Sequence, residues 1–305
     1  MTNLKMLIQL LFLISGFFIP SSCHPSATPD YKSSVTPDDI SGLHIIRPLP
    51  IGLNECSGLT MLTKSLFVAL NDGGHKAILY VFDANKNTEA RKVYVDNAVN
   101  ADWEEVTTDG EYVYIGDTGN NGGTRQNLTI YKIKKDDVIK KDHVTAEKIV
   151  YKYQDQTSFH DSNRHNFDCE ALVAVGDSLY LFSKDRGDLR TNIYSVPKMP
   201  GAYQAGKLSS FDSKGLVTGA DYRSGTAGPE LILIGYELKN HSYHPFLVHF
   251  TNFTGTHFFN GKSARITLSE EHQTESVLFY SDHKVYISNE SSKNEKGYLF
   301  ELDIL

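Results

Sequence analysis

Five residues with oxygen-bearing side chains recur at one position of a repeated pattern. Ser57, Glu104, Glu170, Thr218 and Glu275 each stand two residues before an apolar residue (Leu59, Val106, Leu172, Ala220, Val277) in a short strand-like run. Strand alternation puts each of them on one face of its run. Three carboxylates and two hydroxyls brought together cannot all stay ionised unaided, because like charges at short range raise one another's pKa. A cation resolves the conflict. An all-oxygen donor set with three carboxylates suits Ca2+, which takes roughly 6–8 oxygen ligands, whereas Mg2+ demands stricter octahedral geometry. No His or Cys stands among the five, which argues against Zn2+.

A second set of polar residues is a candidate for chemistry on substrate. Asp72 in NDGG, Asp117 in GDTGNN, and Lys184 and Arg186 in SKDRG all end strand-like runs. The long stretch DQTSFHDSNRHNF adds His160 and Arg164. Lys184, Arg186 or Arg164 would hold a phosphate or carboxylate, and Asp72, Asp117 or a histidine would act as general base. Asn, Asp and Gly are also what turns require, so these runs read equally as turns.

The elements that must position these residues repeat. Five segments share one grammar, beginning ECSGLTML, DWEEVTTDG, DCEALVAVG, VTGADYRSG and TESVLFYSD, each followed by two further short apolar runs. Four of them continue into one more alternating run: EARKVYVD, AEKIVYKY, AGKLSSF and SARITLS. The five marked oxygen positions are spaced by 47, 66, 48 and 57 residues. The expected fold is all-β, a five-bladed β-propeller of four-stranded antiparallel blades. LHIIRPLP (43–50) is left over and would supply the last strand of the fifth blade; a six-bladed ring is the alternative. First strands line a propeller's axis, so the five oxygen residues would ring the central channel, with Ca2+ there. Cys56, Trp103 and Cys169 would point into the packing between blades. Asp102 would share the Glu104 face one step nearer the loops, and Glu105 would alternate away.

The grammar SGL, NDGG, DWEEV, GDTGNN, DCEALV, VTGAD and TESV resembles a group of secreted bacterial propeller proteins of unassigned function. The order Ser, Glu, Glu, Ser/Thr, Glu is more distantly similar to the calcium-activated nucleotidases (apyrases), five-bladed propellers with a central Ca2+. That resemblance implies Ser57, Glu104, Glu170, Thr218 and Glu275 as Ca2+ ligands. It implies a Ca-dependent phosphohydrolase as the first enzymatic candidate. The chain departs from the nucleotidase pattern after the first blade's second strand, where Asn71-Asp72-Gly73-Gly74 lacks the basic residue; Lys184 and Arg186 resemble the basic pair of the third blade.

Composition bounds the rest. The 305 residues carry a formal net charge of −7. No basic stripe exists to neutralise phosphates, so no nucleic-acid groove is expected. The start MTNLK, the apolar MLIQLLFLISGFFIP and the closing SSC have the order of a signal peptide (1–22), too short for a convincing span. Cys23 resembles a lipobox cysteine, 23–42 reads as a tether, and 43–305 is the propeller. The expected location is bacterial, periplasmic or on the outer membrane as a lipoprotein, with the membrane reached only through a Cys23 anchor; otherwise the protein is secreted. Cys56 and Cys169 form no disulfide framework. G-x-S-x-G and H-E-x-x-H are absent, and GNNGG is not followed by the Lys-Ser/Thr of a P-loop. Three functions follow: a calcium-binding propeller that takes a small anion, glycan or protein on its loop face; a metal-dependent hydrolase of phosphate esters or nucleotides; and a glycosidase or lyase working with two channel carboxylates.

Overall fold

The computed structural model describes residues 42–304 except 87, 226 and 292–295. The leader at 1–22 and Cys23 lie outside the described residues, as does the tether apart from Gly42. The chain builds β1 (His44–Pro48), β2 (Cys56–Met61), β3 (Leu66–Asn71), β4 (Ile78–Asp83) and β5 (Arg91–Val95). Next come β6 (Trp103–Thr108), β7 (Tyr112–Asp117), β8 (Leu128–Lys134), a one-turn α1 (Lys135–Lys140), β9 (His143–Val144) and β10 (Glu147–Tyr153). Then follow β11 (Cys169–Val175), β12 (Ser178–Ser183), β13 (Thr191–Pro197) and β14 (Gly201–Phe211). The last are β15 (Leu216–Gly225), β16 (Gly228–Lys239), β17 (Ser242–Thr251), β18 (Lys262–Thr267), β19 (Thr274–Ser281), β20 (Lys284–Asn289) and β21 (Tyr298–Asp303).

Among the described residues the fold is all-β apart from α1 and one short 3-10 turn, and it is propeller-like. Strands pair in antiparallel runs of four: β2-β3-β4-β5, β6-β7-β8-β10, β11-β12-β13-β14, β15-β16-β17-β18, and β19-β20-β21 with β1. The N-terminal strand thus completes the C-terminal sheet, with His44 opposite Glu301. Two features lie outside the repeat. β9 adds a short parallel edge to β5, and β10 pairs in parallel with β14, which joins two runs at their outer edges into one eight-stranded sheet.

The apolar cores explain the arrangement. There are five buried clusters, each drawn from two neighbouring runs. Val68 and Leu70 face Trp103 and Val106 in one gap, while Phe67 and Ala69 of the same strand face Tyr286 and Leu278 in the next. Second strands such as LFVAL and LYLFS are buried on both faces, which is why they read as unbroken apolar runs. Apolar burial is therefore spent between the sheets. The first strands β2, β6, β11, β15 and β19 touch one another in cyclic order, and the space they enclose is left to polar side chains.

Candidate metal and ligand site

Every first strand carries the same irregularity at the same place. Cys56 pairs with Asn71 but Gly58 with Leu70; Trp103 with Asp117 but Glu105 with Gly116; Cys169 with Ser183 but Ala171 with Phe182. Val217 pairs with Gly235 but Gly219 with Ile234, and Thr274 with Asn289 but Ser276 with Ser288. The extra residue is Ser57, Glu104, Glu170, Thr218 and Glu275 in turn. A bulge leaves its extra residue out of the ladder and re-aims its side chain, so the five oxygen residues are set apart by backbone geometry as well as by type. All five are buried.

The bulge also corrects one expectation. Glu105 does not alternate away from the axis, because period two does not survive an inserted residue. Its carboxylate accepts the N–H of Val106 (2.9 Å) and of Ala220 (3.4 Å), the latter on β15. Glu105 therefore points inward, beneath the ring, and ties the second sheet to the fourth. Cys56, Trp103 and Cys169 do pack between sheets, and both cysteines are free.

Ser57, Glu104, Glu170 and Glu275 line one cavity of about 330 Å3, shared with Glu55, Asp72, Lys184, Arg186, Tyr236, Gln273 and Glu290. The hydroxyls of the ring serve the scaffold. Ser57 donates to the Trp103 carbonyl (2.9 Å) and Thr218 to the Thr274 carbonyl (2.8 Å), each stitching one first strand to the next. The carboxylates form two overlapping triples, Asp72–Asp102–Glu104 and Glu104–Asp168–Glu170, each with oxygens within 4.8 Å of one another. Glu104 belongs to both. Asp102 and Asp168 precede Glu104 and Glu170 by two residues, so DWE and DCE set a second acidic layer above the ring.

The two triples differ in what faces them. Lys184 Nζ lies 2.7 Å from Glu170 Oε2, and both side chains are buried. Arg186 pairs with Asp168 and stands 3.6 Å from Glu170 Oε1. Burial alone would depress the Lys184 ammonium, but Glu170, Tyr236 and Glu275 hold it well above the usual lysine range. Among the described residues, the Asp72 carboxylate accepts only the N–H of Gly73, its chain neighbour. Among the described residues, the Glu104 carboxylate accepts no hydrogen bond and pairs with no cation. Burial first, then Glu170 and Asp72, push it well above the ordinary carboxylate range. Burial with Asp72 and Asp168 pushes Asp102 up to about 6.

Two glycines make room for these acids. A Cβ at Gly119 would fall inside the Glu104 and Asp102 carboxylates, and one at Gly73 inside Asp102. The glycines of NDGG and DTGNN therefore do more than turn the chain. The donor set is oxygen only, unneutralised and partly closed, which fits a hard divalent cation.

Glu290, at the far end of β20, lines the same cavity; burial with Glu275 and Asp72 raises it to about 7. Gln273 bridges it to Glu275, whose Oε1 accepts from Gln273 Nε2 at 2.8 Å. Sequence reasoning singled out neither Asp168 nor Gln273; the repeated Asp-x-Glu of DWE and DCE was the signal for the first. The remaining candidates sit elsewhere. Asp117 forms an ion pair with Arg125 (2.9 Å) and caps the Asp102 amide (2.9 Å), so it braces the loop and does not line the cavity. His160 is exposed, and Arg164 lines a separate cavity beside His165 and Lys207. Of the three basic residues expected above the ring, Lys184 and Arg186 converge there and Arg164 does not.

Fold and site together define an all-β, propeller-like protein with an acidic cavity at its axis. No known protein family matches the chain, and no curated protein does. Among solved structures it is similar to the catalytic domain of the Coprinopsis cinerea GH62 alpha-L-arabinofuranosidase, at 12% identity over 86% of this chain and 96% of that chain, with a TM-score of 0.45. A likeness at that level carries no argument about activity.

Proposed function

We propose that this protein is an exported five-bladed β-propeller that binds one calcium ion through Asp72, Asp102 and Glu104 and takes a ligand in the cavity on its loop face. The observation that carries the reading is Glu104: a buried carboxylate with no hydrogen-bond donor or cation among the described residues, shared by two acidic clusters. Leaving a charge in that state is costly, and a cation removes the cost. Calcium is favoured because every donor is oxygen and the geometry is open on the cavity side. The five inter-sheet cores support five blades, and the resemblance to calcium-activated nucleotidases supports calcium near the axis. The ring expected at the axis then contributes Glu104 as a metal ligand, while Ser57 and Thr218 serve the scaffold.

Charge favours ligand binding over phosphate chemistry. Six carboxylates line the cavity (Glu55, Asp72, Glu104, Glu170, Glu275, Glu290) against Lys184 and Arg186, a formal balance of −4. One calcium ion reduces this to −2, which still repels an anionic substrate. The convergence of Lys184 and Arg186 keeps a second reading, a calcium-dependent phosphohydrolase, worth testing. Two assays decide. Calcium at a hundredfold excess over Kd should stabilise the protein by about 2.7 kcal/mol, and Asp102→Asn should abolish that effect. A melting temperature indifferent to calcium would remove the metal site. Phosphate release from a panel of nucleotides and esters should be absent with Ca2+, with Mg2+ and with chelator; calcium-dependent release would replace the binding reading with the hydrolase.

A further inference from the structure

The cavity wall carries positive charge of its own at the place where the repeat expects a metal. Lys184 follows β12 directly and is buried. Its ammonium is 2.7 Å from Glu170 and 5.4 Å from the centre of the Tyr236 ring. It acts on Glu275 as well, lowering a carboxyl that burial raises. Arg186 stands behind it, paired with Asp168 and near Glu170. Two acids of the inner triple, Asp168 and Glu170, are therefore paired with protein cations. The outer triple Asp72–Asp102–Glu104 has no ion pair among the described residues.

We infer that Lys184 is the axial cation of this protein: its ammonium, held on a tether against Glu170 in the cavity that Glu275 also lines, stands in for a second metal ion on the inner side of the acidic cluster. An ammonium is a compact charge with three rotatable donors, suited to several carboxylate oxygens at once. Being covalently held, it does not dissociate, so the axial acids keep a counter-ion whatever the supply of metal. A metal ion at the same place would meet Lys184 and Arg186 as like charges in a buried setting, where such repulsion is poorly screened. The exchangeable ion is thereby confined to the outer triple, beside the loops. The inference stands on residues other than the three calcium ligands proposed above.

Calcium stoichiometry by titration calorimetry on the full folded chain tests it. The wild-type protein should take one equivalent and Glu170→Gln should keep it. Lys184→Gln should gain a second equivalent, with a larger upward shift of melting temperature on adding calcium than the wild type shows. Lys184→Gln with Glu170→Gln should lose that gain. A Lys184→Gln protein that still binds one equivalent, with an unchanged calcium shift, overturns the inference. If Lys184→Gln does not fold, Glu170→Gln alone decides, since loss of its calcium would mean that the axial acids already bind metal. No calcium in the wild type but one equivalent in Lys184→Gln would sink the proposed outer site and leave this inference standing.

Discussion

Glu104 and Glu105 are adjacent, identical in chemistry and almost equally buried, at 4% and 2% exposure. They differ in what meets them. Glu105 receives N–H groups from Val106 on its own strand and from Ala220 on β15. Its counterpart lower in the channel, Asp221, likewise accepts from Tyr222 (2.9 Å) and Phe279 (2.7 Å). Glu104 and Asp102, above them, face other carboxylates and, among the described residues, no donors. The lower half of the channel thus uses acids to satisfy backbone where first strands crowd together. In the upper half, Glu104 and Asp102 have no such partner among the described residues, while Lys184 and Arg186 hold Glu170 and Asp168. A buried carboxylate saturated by amides belongs to the fold, and one left without donors is arranged for something that arrives.

The largest expected effect would separate the two neighbours by sign. Glu105→Ala strands two buried N–H groups, at ~1–3 kcal/mol each, and opens a cavity, so a loss of about 3–4 kcal/mol is expected in urea melts. Glu104→Gln removes a buried charge that nothing compensates, so the calcium-free variant should be as stable as the wild type or more so. In calcium the order reverses, because only the wild type gains the ion. If both variants lose similar stability without calcium, the contrast between fold acid and ligand acid fails.

A smaller effect probes the loops. Gly119→Ala places a Cβ against the Glu104 and Asp102 carboxylates, which must move apart. Calcium affinity should fall about tenfold, equivalent to ~1.4 kcal/mol. The calcium-free melting temperature should change little, since the displaced atoms are carboxylate ends and not backbone. Equal calcium affinity in variant and wild type would mean that these two acids do not share an ion.

The fold was legible because every sheet repeats one grammar. Alternating runs such as AILYVFD, LTIYKI and FLVHF are strands, and LHIIRPLP supplies β1, which pairs with β21. The parallel join of β10 to β14 was not legible, because it matches outer edges of two units and leaves no periodic trace. Within the site, residue type and spacing pointed to Glu104, and the five bulges give that spacing a backbone cause. The same bulges misplaced Glu105, since alternation is a rule for regular strands only. Lys184 was visible as a basic residue at a strand end. That it pairs with Glu170, 14 positions earlier, follows from the third sheet's antiparallel register, which brings the end of β12 back beside the start of β11.

The smallest expected effect concerns pH and the lower channel. Burial raises Asp221 to about 7 from 3.8, against the lowering pull of the Phe279 and Tyr222 amides. A carboxyl whose folded pKa lies above its unfolded one binds more protons folded than unfolded. Its contribution to stability is therefore largest below the unfolded value, declines as pH rises through the window between the two values, and levels off above about 7. Asp221→Asn lacks that titration but keeps a carbonyl acceptor for one of the two amides. The variant should be less stable than the wild type at pH 5, and the gap should narrow by pH 8 because only the wild type pays for ionisation. Melts at the two pH values, with chelator present so that the upper acids add no metal dependence, read the difference. A gap that widens with pH would mean that the amides over Asp221 hold its charged form better than burial opposes it. The lower channel would then owe its stability to a carboxylate rather than to a carboxyl.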